Sequence, residues 1–148
     1  MPKKIIYQTN SPAQTKKIAG ILAEESLKKK SLRNALIFAF RGDLGTGKTT
    51  FIQGFLKKLG IKEKITSPTF IIMRTHKLSN KLIYHIDCYR IKKLKDINVL
   101  GLEEIFKNPR NIVLIEWANK IKKILPRNSV WIKLEHGRNI RERIIKIK

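Results

Sequence analysis

The sequence predicts a single α/β domain over residues 1–148, with a mixed parallel and antiparallel sheet flanked by helices. Three observations lead there. Residues 35–40 form an unbroken apolar run that leads into a glycine-rich turn, as expected of a strand buried on both faces of a parallel sheet. Strand-like and helix-like periodicities then alternate along the chain. Two pairs of strand-like segments are also joined by turn-rich residues, which marks hairpins in the same sheet.

Taken in order, Ile5 and Ile6 suggest a short first strand. Ser11 can cap a helix whose first position is Pro12, and Gln14 completes a capping box. Ile18, Ile21, Leu22 and Leu27 continue the helical stripe. After the strand at 35–40, residues 49–59 read as an amphipathic helix with Phe51, Ile52, Phe55, Leu56 and Leu59 on one face and Gly60 as its stop. Residues 70–75 and 82–87 read as strands about a turn at 77–81. A short helix at 102–106 precedes a buried strand at 112–115, and residues 130–134 and 140–147 read as a last hairpin. No internal repeat, linker or low-complexity segment divides the chain.

Composition narrows the class. With 42% hydrophobic and 30% charged residues, 148 residues suit one folded domain. No apolar run approaches the ~18 residues that cross a bilayer, and the N-terminal residues lack the apolar core of a signal peptide. Cys88 is the only cysteine, so no internal disulfide forms, and no Cys/His cluster has zinc spacing. These features predict a cytoplasmic protein with no membrane partner. The net charge is +22, and residues 119–148 are densest, with ten Lys/Arg against two Glu. That charge fits lysines spread over solvated faces. It fits equally an attraction for RNA, DNA or an acidic protein.

Gly42-Asp43-Leu44-Gly45-Thr46-Gly47-Lys48-Thr49 satisfies G-x-x-x-x-G-K-[ST] at every fixed position, between a buried strand and an amphipathic helix. Its glycines let successive N–H groups turn toward phosphates, and the helix N-terminus adds its dipole. Lys48 is expected to reach the β- and γ-phosphates, and the Thr49 hydroxyl to ligate Mg²⁺, with Thr50 alongside. Two apolar strands end in acids, Asp87 and Glu116. If both run parallel to residues 35–40, both acids reach the phosphate-binding edge, where each is a candidate Mg²⁺ ligand or water-orienting base. His85 lies on the same strand face as Asp87 or packs in the core. Ser67 and Thr69, flanking Pro68, are a possible switch segment or an ordinary turn. Trp117 either lines the site or is a buried indole. No Asn-Lys-x-Asp guanine reader is present, which favours ATP over GTP.

The ordered set from Gly42 to Thr50, then Ser67-Pro68-Thr69, then His85-Ile86-Asp87-Cys88-Tyr89-Arg90, then Glu116-Trp117, closely resembles the TsaE family. Leu125-Pro126 and Gly137-Arg138 fit as well, so the resemblance spans nearly the whole chain. It implies a small P-loop ATPase, using ATP and Mg²⁺, needed for threonylcarbamoylation of adenosine 37 in tRNAs that read codons beginning with adenine. It also implies work with TsaD and TsaB, with ATP turnover resetting that complex; tRNA is then met indirectly through them, or directly by the basic surface that the +22 charge suggests. By position, Lys48, Asp87 and Glu116 match catalytic residues, with Thr49, Asp87 and Glu116 at the metal. Trp117, Asn119 and Arg138 match positions near the nucleotide. Thr46 departs from the family's more frequent Ala or Ser, and Ala118 from its Pro. Two other readings fit parts of the sequence: a small P-loop kinase of a metabolite, and a basic RNA-binding module with a vestigial nucleotide site. The chain between Gly60 and Asp87 has no obvious lid insertion, which weighs against the kinase.

Overall fold

The computed structural model describes residues 3–29, 33–66 and 72–148. Its elements are β1 (Ile5–Thr9), α1 (Pro12–Lys28), β2 (Leu36–Arg41), α2 (Lys48–Lys58), β3 (Met73–Leu78), β4 (Lys81–Asp87), α3 (Leu102–Lys107), β5 (Asn111–Glu116), β6 (Val130–His136) and β7 (Arg143–Ile147). Two 3₁₀ helices, Leu94–Leu100 and Ala118–Ile124, the second broken by a kink at Ile121, complete the described elements.

All seven strands form one sheet in the order β1-β7-β6-β2-β5-β4-β3. β2 runs parallel to both β5 and β6, and β4 runs parallel to β5. β3, β7 and β1 pair antiparallel, so the sheet is mixed as expected. β2 and β5 lie inside the sheet, where a strand needs apolar side chains on both faces. Every residue of β5 is buried, and in β2 only Arg41 reaches solvent.

Alternation along β2 divides the core between the two faces. Phe38 and Phe40 point toward the α1/α2 side, where their rings meet Phe55 at 5.1 Å and Phe51 at 5.4 Å, both edge-to-face. Ile37 and Ala39 point the other way, into a cluster with Ile86, Val113, Ile115, Ile97 and Phe106. Along β6 and β7, buried residues on the α1/α2 side alternate with half-buried residues on the second face. Trp131, Lys133 and Lys146 are among the half-buried residues.

Capping largely follows the sequence. Ser11 Oγ accepts the Gln14 N–H at 3.2 Å, and Pro12 takes the first helical position. The Gln14 side chain reaches one residue further back than a capping box requires, accepting the Asn10 N–H at 2.6 Å. Gly60, at φ 96°, ends α2. Its N–H donates to Lys57 O, and the Ile61 N–H donates to Leu56 O, the paired bonds of a Schellman stop. The α1–α2 crossing depends on Gly54, where a Cβ would lie 2.6 Å from Lys16 Cα.

Several boundaries differ from expectation. β3 is Met73–Leu78 where residues 70–75 are predicted, and residues 70 and 71 lie outside the described residues. The β3–β4 turn shrinks from five residues to Ser79-Asn80, because Leu78 pairs with Lys81 and Ser79 adopts φ 54°. Ile140, expected in the last strand, sits in an exposed turn, and β7 starts at Arg143. Glu142 closes that turn, taking Asn139 Oδ1 on its N–H at 3.0 Å. Neither 3₁₀ helix is foreseen in the sequence.

Candidate nucleotide site

The loop between β2 and α2 owes its shape to glycine. Gly42, Gly45 and Gly47 have φ of 149°, 76° and 100°, in the region that favours glycine. At Gly42 a Cβ would also fall 2.3 Å from Leu134 O and 2.8 Å from Thr46 Oγ1. Thr46 is buried, and its hydroxyl donates to Asp43 O at 2.8 Å, bracing the turn from inside. Arg143 braces it from outside. Its guanidinium donates to Gly45 O at 3.1 Å and to Ile140 O at 2.8 Å, tying the loop to the β6–β7 turn.

Lys48 opens α2, and its buried ammonium curls back over the loop. It donates to Gly42 O at 2.5 Å and Asp43 O at 2.8 Å, and it lies 4.4 Å from the centroid of the Trp117 ring. Burial lowers the pKa of this ammonium, while the charges of Glu116, Asp87 and Asp43 pull it back up. Thr49 follows in the first turn of α2, and its hydroxyl donates to Glu116 Oε1 at 2.9 Å.

The two strand-end acids lie side by side. β4 and β5 both run parallel with β2, and Asp87 is the register partner of Glu116. Both are buried. Asp87 Oδ1 accepts the Tyr89 N–H at 2.9 Å, which folds the chain over after β4. Glu116 Oε2 meets His85 Nε2 at 2.7 Å. His85 is fully buried, and its Nδ1 has no hydrogen-bond partner. The core position and a link to the site are therefore both realised in this histidine. Directly after Glu116, Trp117 adopts φ 56°, an uncommon conformation for a large side chain. That turn sets its indole beside Lys48 and 5.1 Å from the Tyr89 ring.

These groups line one cavity of about 830 Å³. Its lining includes Leu44, Gly45 and Gly47 of the loop, Lys48, Thr49 and Thr50 of the first turn of α2, and Asp87, Glu116 and Trp117 at the ends of β4 and β5. Ser11, Pro12 and Thr15 of α1 border it, with Tyr89, Arg141 and Arg143 also at its edge. Asn119 and Arg138 are not brought together with this set. Asn119 lines a separate groove with Trp131 and Lys133, and Arg138 is exposed ahead of the turn. The arginines that reach the cavity are Arg141 and Arg143. The sequence flags a basic C-terminal stretch, but the tight turn closed by Glu142 decides which of its arginines faces the loop. Ser67 and Thr69 lie outside the described residues.

Among the described residues no three His, Cys, Asp or Glu side chains form a metal cage. The oxygen donors present, one hydroxyl and two carboxylates beside a phosphate-type loop, suit a hard cation that shares its coordination with substrate and water. No helix among the described residues is long and apolar enough to cross a membrane.

Fold and loop together define a P-loop nucleotide-binding protein of the α/β class. The chain belongs to the TsaE family: the family model described as threonylcarbamoyl adenosine biosynthesis protein TsaE matches residues 9–145. The tRNA threonylcarbamoyladenosine biosynthesis protein TsaE of Rickettsia conorii is 40% identical over 131 residues, covering 88% of this chain and 70% of that protein. Its Bacillus subtilis counterpart is 34% identical over 135 residues, covering 91% of this chain and 80% of that protein. The crystal structure of Bacillus subtilis YdiB matches with a TM-score of 0.79 at 31% identity, over 99% of this chain and 86% of that one. Membership carries a role in the biosynthesis of threonylcarbamoyladenosine in tRNA.

Proposed function

We propose that the protein is a Mg²⁺-dependent ATPase that acts as an ATP-driven accessory switch on a TsaD–TsaB complex. That complex threonylcarbamoylates adenosine 37 in tRNAs reading codons that begin with adenine. The observation that carries this reading is the meeting of Lys48, Thr49, Asp87 and Glu116 at one cavity behind a glycine-shaped loop.

Each residue has a task that follows from its position. The loop N–H groups and the start of α2 bind the phosphates, and Lys48 supplies a cation for the β- and γ-phosphate oxygens. Its bonds to Gly42 O and Asp43 O hold that cation at the loop, so little reorganisation precedes binding. Thr49, Asp87 and Glu116 would hold Mg²⁺, which supplies charge neutralisation on the transferring phosphoryl group. His85 fixes Glu116 from behind and Thr49 fixes it in front, so that carboxylate is oriented whether it serves the cation or the attacking water. Trp117 and Tyr89 cover the cavity beside Lys48 and help to exclude solvent.

Reconstituted tRNA modification tests the reading. Wild type is expected to support many rounds with TsaD and TsaB, and to hydrolyse ATP faster in their presence. Lys48→Ala and Glu116→Ala should each abolish repeated rounds, and chelation of Mg²⁺ should do the same to the wild type. Full multiple-turnover modification by both variants would refute it.

A further inference from the structure

From its side chains we infer that the half-buried β6–β7 face, with the 3₁₀ helix Ala118–Ile124 beside it, is an RNA-binding track for phosphodiester groups and a stacked base. The first ground is a row of like charges. Arg41, Lys133 and Lys146 are register partners across β2, β6 and β7, so three cations stand directly opposite one another on one face. Such a row is unfavourable in a sheet. Glu135 relieves part of it, accepting Lys146 at 2.9 Å and Lys133 at 3.1 Å. Arg41 is left beside them, exposed and at the start of the phosphate loop. A bound polyanion would remove the remaining repulsion.

The second ground is what surrounds the row. It lies in a groove of about 680 Å³ whose lining, among the described residues, holds seven Lys/Arg side chains and no Asp or Glu side chain, Glu135 standing just outside it. The 3₁₀ helix contributes Lys122, the following loop contributes Arg127, and Lys148 closes one side. Trp131 is half-buried in the same lining, two residues along β6 from Lys133, and Asn119 and Asn128 add neutral donors and acceptors. Cations that track a backbone around an aromatic platform are the pattern of single-stranded nucleic-acid binding. Part of the Trp131 indole packs against the second core cluster and the rest faces the groove, where a base can stack on it, whereas an acidic protein surface would use the cations alone.

The third ground is continuity. Asn119 and Lys122 also line a neighbouring groove with Lys92, Lys120 and Lys123, so the basic surface wraps around the 3₁₀ helix. Lys120 donates to Tyr89 O, and Tyr89 borders the nucleotide cavity. The track therefore ends at the nucleotide site, and the helix that carries it begins beside Trp117. A role in tRNA modification makes RNA the chemistry this surface would meet.

The test is fluorescence anisotropy with a fluorescein-labelled, unmodified tRNA transcript and no nucleotide. Lys122→Gln, Arg127→Gln and Lys148→Gln are combined in one variant. The control combines Lys57→Gln, Lys62→Gln and Lys64→Gln, which line a groove beyond α2. Three lost contacts, each worth about 0.7 in the slope of log K on log salt, flatten the slope by about 2 and weaken binding about 100-fold near 0.1 M salt. The control is expected to lose far less. Trp131→Leu should weaken binding about tenfold, while Trp131→Phe keeps the affinity and loses quenching of tryptophan emission. Equal losses in the groove and control variants, or unchanged binding in Trp131→Leu, would overturn the inference. So would a wild type that ignores the transcript while the groove variant fails to bind TsaD–TsaB, since the face would then be a protein dock. Binding is read without hydrolysis, so its failure leaves the proposed ATPase standing, and the reverse also holds.

Discussion

Replacing Gly54 by alanine is expected to destabilise the protein, although alanine is the better helix former. Gly54 lies inside α2, where glycine-to-alanine normally gains about 1 kcal/mol. Here the new methyl would sit 2.6 Å from Lys16 Cα and 2.8 Å from Lys16 O. Both are main-chain atoms, so α1 and α2 must separate by about 1 Å to restore ordinary contact. Overpacking of that kind costs about 1–3 kcal/mol, which outweighs the helical gain and leaves a net loss of up to about 2 kcal/mol. Gly20 on α1 supplies the internal control. A Cβ there meets only Lys58 side-chain carbons, at 3.5–3.6 Å, which is ordinary contact. Gly20→Ala should therefore stabilise by about 0.5–1 kcal/mol. Thermal unfolding followed by circular dichroism reads both, at about 2–4 °C per kcal/mol for a domain of this size. A Gly54→Ala melting temperature at or above wild type, or a Gly20→Ala temperature below it, would refute the reasoning.

Ser11→Ala removes the side-chain acceptor at the start of α1, so a loss of about 1 kcal/mol is expected by urea denaturation. Gly42→Ala would press a methyl against Leu134 O in a backbone conformation unsuited to alanine. Calorimetric titration with ATP and Mg²⁺ should then show binding lost, while circular dichroism shows the sheet retained. Cys88 is fully buried, and burial followed by the charge of Asp87 pushes its thiol up to about 12. Iodoacetamide near pH 8 should leave it unmodified in the native protein and alkylate it after denaturation, as mass spectrometry would read.

The parts of this fold that are legible in the sequence are those written in neighbouring residues. The apolar run of β2, the glycines of the loop and the amphipathic face of α2 each need only a short window. The strand-end acids are legible because β4 and β5 are apolar runs that stop at Asp87 and Glu116, and the register sets those two opposite each other. What escapes is set by distant parts of the chain. Nothing local to β6 says that it pairs parallel with β2. The 3₁₀ segments, the second of them broken at Ile121, are too short and irregular for a periodic signature. Arg143, rather than Arg138, touches the loop because a turn closed by Glu142 aims it there, and no motif encodes that aim.

The pairing of β1 with β7 bears on how the protein comes off the ribosome. Among the described strands, β7 sits between β1 and β6, and β1 pairs with β7 alone. β1 must wait, unpaired, for a strand made more than a hundred residues later. Nascent chains stalled before Arg143 should leave the main-chain N–H and C=O groups of β1 unpaired and open to chaperones and proteases until β7 arrives.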